Sequence, residues 1–136
     1  MKILNDYPPN HEDILAHGMN PSSRVVYTYG DTIYNPSGAV IPEDVIRHEE
    51  VHFKQQGDNP DAWWQRYLMD ALFRVGQESE AYATQYDFIC TYVKDRNKRL
   101  KVLLDLSRIL SSPIYGVTLS PNDCFLLIKN KIKTKR

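Results

Sequence analysis

Long apolar runs, cysteine pairs and a net charge are all missing from this chain. No stretch approaches the ~20 consecutive apolar residues that a membrane span needs, so a membrane protein is not expected. The opening residues Met1 to Asp6 hold no apolar segment of the length a secretory signal requires, so export by its own signal is not expected either. There are only two cysteines, Cys90 and Cys124, each set singly among apolar residues. Without a Cys-x-x-Cys spacing, a thiolate zinc site and a dithiol redox motif are both excluded on pattern. Two reduced core cysteines are the expectation, as suits an intracellular protein.

What remains is ordinary in bulk. The chain has 136 residues, 42% hydrophobic and 25% charged, which is enough for one domain with a real core and too little for two. The net charge of zero hides a split. Residues 1–93 carry 6 Lys/Arg against 14 Asp/Glu, a net of −8, and residues 94–136 carry 11 against 3, a net of +8. Such a split suits self-association or an acidic partner; the plainer account, which we prefer, is a solvated helix face followed by a basic tail. The cluster Lys94, Arg96, Lys98, Arg99 and Lys101 has no interleaved aromatics and no helix-turn-helix pattern, so nucleic acid is not an expected partner.

The first forty residues are rich in turns. Asn10 is placed to cap a short helix from His11 that Gly18 stops, and Asn20-Pro21-Ser22-Ser23 breaks the chain. Two β-rich runs follow, Arg24 to Tyr29 and Thr32 to Tyr34, with Gly30-Asp31 between them as a two-residue hairpin turn. After Pro42 the pattern is helical. One helix runs from Pro42 to Gln56, with acids in its first turn and Gly57 as its stop. A long helix is expected from about Asp61 to about Val93, bent at Gly76. A third spans Asn97 to Leu110, Ser111-Ser112-Pro113 breaks it, and a last helix opening at Ser120-Pro121 dissolves into the tail. The expected organisation is one domain over residues 1–128 and a basic tail over 129–136.

Chemistry concentrates in His48-Glu49-Glu50-Val51-His52. Two histidines four apart on a helix of 3.6 residues per turn project from one face and can share a metal ion. Zinc takes imidazole nitrogen at about 2.0–2.1 Å, and with three protein ligands it keeps a fourth position for water. Glu49 stands beside the first histidine, where a carboxylate can take a proton from that water; Glu50 points away. The third ligand must come from another element; the chain has no histidine after His52, so a third histidine downstream of the motif is ruled out and glutamate is the natural replacement. Gln77-Glu78-Ser79-Glu80 offers two glutamates. Glu78 falls on the stripe Trp64, Leu68, Ala71, Val75, Glu78, Tyr82, Gln85, Ile89 and so faces inward, whereas Glu80 shares a row with Gln77, Thr84 and Asp87. Helix phase favours Glu78 over Glu80.

His48-Glu49-x-x-His52 followed by Glu78-x-x-Ala81 resembles the gluzincin metallopeptidases, in which a small residue follows the ligand glutamate by three. The stretch from about 27 to 90 is also similar to small zincin-like proteins encoded by phages and prophages. Tyr29-Gly30-Asp31-Thr32-Ile33-Tyr34-Asn35-Pro36, Gln55-Gln56, Trp63-Trp64-x-x-Tyr67-x-x-Asp70 and Phe73-Arg74 carry that likeness. It implies an α+β, mostly helical zincin-like domain with a short N-terminal β-hairpin or sheet over the active-site helix, whose edge strand pairs with extended peptide. It implies Zn2+ held by His48, His52 and Glu78, Glu49 as general base, and a protein or peptide substrate. A phage-encoded chain would work in the host cytoplasm or be carried in a virion, with a phage protein as a further partner. In the thermolysin-like pattern of the gluzincin family an aspartate often follows the ligand glutamate by four residues and orients a histidine. Here Tyr82 stands there, so the histidine's orienting partner is unassigned. For stabilising an oxyanion the candidates are Tyr115 and Tyr82, for each of which packing is the plainer role. The second reading, of another class, is a non-catalytic phage structural or adaptor protein that keeps the zincin fold.

Overall fold

A computed structural model describes residues 1–19, 22 and 24–135, with 133–135 described by backbone alone. Asn20, Pro21 and Ser23 of the expected chain break, and Arg136 of the tail, lie outside the described residues. Among the described residues the architecture is α+β, with six α-helices and a small N-terminal sheet. Among the described residues no helix is long and apolar enough to cross a membrane.

The sheet has three short strands, β1 (Lys2–Leu4), β2 (Tyr27–Tyr29) and β3 (Thr32–Tyr34), in the order β1-β3-β2. β2 and β3 form the expected antiparallel hairpin, with Tyr29 opposite Thr32 and Gly30 at φ +60° in the turn. That conformation is free of steric cost only for glycine. β1 adds to the far side of β3 in parallel, a pairing the local pattern does not announce. Helix α1 (His11–Ala16) lies between the first two strands in sequence; Asn10 stands at its start but makes no side-chain capping bond.

Helix α2 (Glu43–Gln56) runs between its expected punctuation. Pro42 precedes it, Glu43 and Asp44 occupy its positive end, and Gly57 ends it at φ +59°. The expected long helix is instead two, α3 (Pro60–Met69) and α4 (Ala71–Ile89). The break falls at Asp70, not Gly76. Asp70 is extended (φ −123°, ψ 103°) and its side chain accepts the Phe73 N–H at 3.1 Å, so one residue ends one helix and caps the next. Gly76 continues α4 undisturbed. Helix α5 (Arg96–Leu110) is capped by Asp95, and a single 3-10 turn, Pro113–Tyr115, follows it. Ser120 and Asp123 then cap each other's N–H groups reciprocally at the start of α6 (Pro121–Lys135). This helix does not dissolve at Lys129, because Ile128 and Ile132 lie one turn apart and are both buried in the core.

Two apolar clusters hold the molecule. One joins α4, α5 and α6 through Val75, Tyr82, Leu103, Leu106, Leu110, Cys124 and Ile128. The other joins α1, β2 and α3 through Ile14, Met19, Tyr27, Trp63, Trp64, Tyr67 and Leu68. Both cysteines are buried and unpaired. Helix α2 packs along α4, where Ala81 is fully buried and lets the backbones approach. The polar residues of the two helices therefore meet at the boundary between the clusters.

Candidate metal centre

His48 and His52, one turn apart on α2, face Glu78 on α4, and all three are 5% exposed or less. The two Nε2 atoms lie 3.2 Å apart, and Glu78 Oε1 lies 3.0 Å from one and 3.2 Å from the other. The remaining ring nitrogens are tied down by two carboxamides. Gln85 gives its Nε2 to the Asp44 carboxylate, so its Oε1 is the atom that accepts from His48 Nδ1, at 3.0 Å. Gln55 gives its Nε2 to the Gln77 carbonyl, so its Oε1 accepts from His52 Nδ1, at 2.8 Å. With both Nδ1 atoms acting as donors, each neutral imidazole turns a lone pair inward at Nε2. Tyr67 donates to the second oxygen of Glu78 at 2.6 Å and fixes the carboxylate.

Three acceptors thus converge in a buried place, which is stable only around a cation. Without a metal that cation is a proton. Burial works against a charged imidazole, but the adjacent Glu78 carboxylate outweighs it and pushes His52 up to about 9. Burial alone would likewise raise Glu78, yet His52 and the two imidazole hydrogen bonds hold its carboxyl well below the usual range. His48, His52 and Glu78 form a group that can hold a metal ion.

Glu49 belongs to the site without belonging to this group. It is 6% exposed, its Oε2 lies 3.8 Å from His48 Nε2, and its Oε1 accepts from the Thr28 hydroxyl of β2 at 2.9 Å. Burial raises its carboxyl above the ordinary value, against the pull of the two histidines. Glu50 lies on the other side, beside Arg47 at the surface. Tyr82 and Tyr115 share a hydrogen bond of 2.5 Å between their hydroxyls, and the Tyr82 ring stands edge-on to His48. Burial, then the Glu78 charge, raises both phenols, so both stay protonated donors at neutral pH.

A cavity of about 80 Å³ opens onto the group. Its polar wall includes His48, Glu49, His52, Glu78, Thr28 and Tyr115; its apolar wall includes Ile14, Met19, Val26, Trp64 and Ile114. Glu80 lies outside this constellation, 3.4 Å from Gln55 Nε2. The paired tryptophans are both core residues, with Trp63 Nε1 donating to Gln77 and Trp64 Nε1 to the Thr28 carbonyl.

The structure brings together His48, His52, Glu78, Glu49, Tyr82 and Tyr115. Sequence reasoning left out the residues that hold them. The histidines' partners are Gln85, two turns below Glu78 on the same inward stripe, and Gln55, three residues after His52; an orienting carboxylate is replaced by carboxamides. Arg74 was also missed: it is buried and spends its guanidinium on the carbonyls of Tyr67 and Tyr115, joining the glutamate's partner to the tyrosine pair. Comparison with protein-family models, with curated proteins and with solved structures finds no match for this chain.

Proposed function

We propose that this chain is a zinc-dependent peptidase that hydrolyses a peptide bond with Glu49 as its general base. One observation carries the reading: two imidazoles with fixed tautomers and one anchored carboxylate converge on a point, while a second buried carboxylate stands beside them and takes no part in the cluster. The donor set fits zinc. Tetrahedral ligands at 2.0–2.1 Å stand about 3.3 Å from one another, close to the 3.0–3.2 Å spacings here. Three protein ligands, two His and one Glu, are the pattern of a catalytic site, whereas structural zinc takes four.

When bound, zinc supplies a Lewis acid that polarises a carbonyl and brings the pKa of a water toward neutrality. Glu49 would accept a proton from the attacking water as the water oxygen forms the new bond to the carbonyl carbon. The C–N bond then breaks, and Glu49 returns the proton to the leaving amine. Thr28 holds the carboxylate at one oxygen and leaves the other free for this exchange. The Tyr115 hydroxyl, on the cavity wall, is the donor suited to the developing oxyanion, with Tyr82 orienting it from behind.

Glu49→Gln keeps the shape and the bond to Thr28 but cannot take a proton. Zinc content should stay near one per chain, while cleavage of an alanine-rich peptide library falls by roughly 10²–10⁴-fold. Equal cleavage by the two forms would overturn Glu49 as the general base, and no cleavage by either across the library would favour the non-catalytic phage structural or adaptor protein.

A further inference from the structure

The outer edge of β2 carries a plug. Tyr29 and Thr32 flank the two-residue turn as the mutually bonded pair, so Thr28, opposite Ile33, turns its backbone groups away from β3. An added strand would need those groups. The carbonyl is already engaged: it accepts from Gln56 Nε2 at 2.7 Å and from Trp64 Nε1 at 3.0 Å, and the next outward donor toward the turn, the Gly30 N–H, donates to Gln56 Oε1 at 2.8 Å. The Gln56 carboxamide, itself buried, presents an N–H and its carbonyl on one side, as a primary amide can, and so fills the outward acceptor of Thr28 and the outward donor of Gly30 together. The closed stretch borders the metal group: Thr28 lines the same cavity as His48, His52 and Glu78, and its hydroxyl holds Glu49. The edge that the family resemblance implied as a peptide platform is therefore not open along its length. Only its upstream part remains, where Val25 and Val26 line the cavity and are half-buried.

Direction follows from the register. A ligand paired antiparallel to β2, the more stable arrangement, has its amino-terminal end toward Gly30 and its carboxy-terminal end toward Val26. Growth at the amino end meets Gln56 at once, and growth at the carboxy end leads away from it. We propose that the site takes the amino-terminal end of a peptide, with Gln56 as the residue that stops the chain. This deepens the peptidase reading and rests on it.

The test uses cobalt-loaded full-length protein, whose visible spectrum reports both metal uptake and ligand binding. The probes are phosphinic alanine pseudopeptides, in which a phosphinate replaces the reacting amide. One series is lengthened by one to three alanines at the carboxy side and the other at the amino side. Carboxy-side extension should keep or improve affinity. Amino-side extension beyond the first residue should weaken it at least tenfold. In Gln56→Ala combined with Trp64→Phe, amino-extended probes should regain at least tenfold while the other series is unchanged. The wild-type series decides the question even where that variant folds poorly. Equal or tighter binding of amino-extended probes to the wild type overturns the proposal and leaves the peptidase reading standing. Cobalt uptake with no response to any probe overturns both, and failure to take up cobalt removes the metal centre on which both depend.

Discussion

Gln55 and Gln85 each settle a tautomer with one carboxamide. Their nitrogens are committed to acceptors that cannot donate, a backbone carbonyl and a carboxylate, so their oxygens must face a ring N–H. A carboxylate in the same place would draw the proton and make the imidazole more basic; a carboxamide fixes the ring with a smaller effect on its basicity. Leucine at either position removes the acceptor while keeping most of the volume. Gln85→Leu and Gln55→Leu should each weaken zinc binding by about 10–100-fold, the usual effect of losing an orienting partner. Glu80→Ala, on the far side of Gln55, should change it little. Competition titration against a chelator of known affinity measures all three. An undiminished affinity in both leucine variants would mean that the amides do not fix the rings.

At the level of elements, the readable parts were those with punctuation. Pro42 and Gly57 bound α2 in the sequence as they do in the fold, and the His48–His52 spacing then fixed one face of it. Glu78 was legible because the inward stripe is apolar up to it, through Trp64, Leu68, Ala71 and Val75. The break at Asp70 was not, since a lone aspartate inside a helical pattern carries neither proline nor glycine, and only its extended backbone reveals a cap. β1 was illegible for another reason: three exposed residues acquire their strand identity wholly from β3. Thr28, Tyr67 and Gln56 are brought to the site by contacts 11 to 28 residues apart, which no local period encodes.

The Asp70 junction matters to the site, because Tyr67 lies before it and Glu78 after it. Asp70→Ala should cost about 1 kcal/mol, as caps typically do, and should also lower zinc affinity by loosening the bond between those two residues. Asp95→Ala, which removes an equivalent cap from α5 far from the metal group, should cost a similar amount and leave zinc affinity unchanged. Chemical denaturation and the same chelator titration separate the two. Matching losses of affinity in both variants would reduce the Asp70 effect to general destabilisation.

Across the whole molecule, His48, His52 and Glu78 sit where the two apolar clusters meet, so the charge state of the site bears on the stability of the fold. In the metal-free protein the His52–Glu78 pair joins α2 to α4. Because His52 is raised from 6.5 to about 9, its contribution is complete below pH 6.5 and is lost as the pH rises through about 9. Because Glu78 is lowered, its contribution is present above its ordinary range and fades only in strong acid. Zinc requires the lone pair of His52 and so competes with this proton. Each ion bound below pH 9 should release about one proton from His52, and affinity should rise about tenfold per pH unit, or about 1.4 kcal/mol, until the pH nears 9. The two are one linkage: as the pH rises from 6 to 9 the metal-free form gives up the His52 proton that holds its internal ion pair, and zinc no longer has to displace it. The difference in melting temperature between zinc-loaded and metal-free protein should therefore widen steadily over that range. Thermal scans at fixed free zinc, with the proton release read by calorimetry in two buffers of different ionisation enthalpy, measure both. A melting difference that stays flat with pH, or binding that releases no proton at pH 7, would show that the ion is not held where His52 and Glu78 meet.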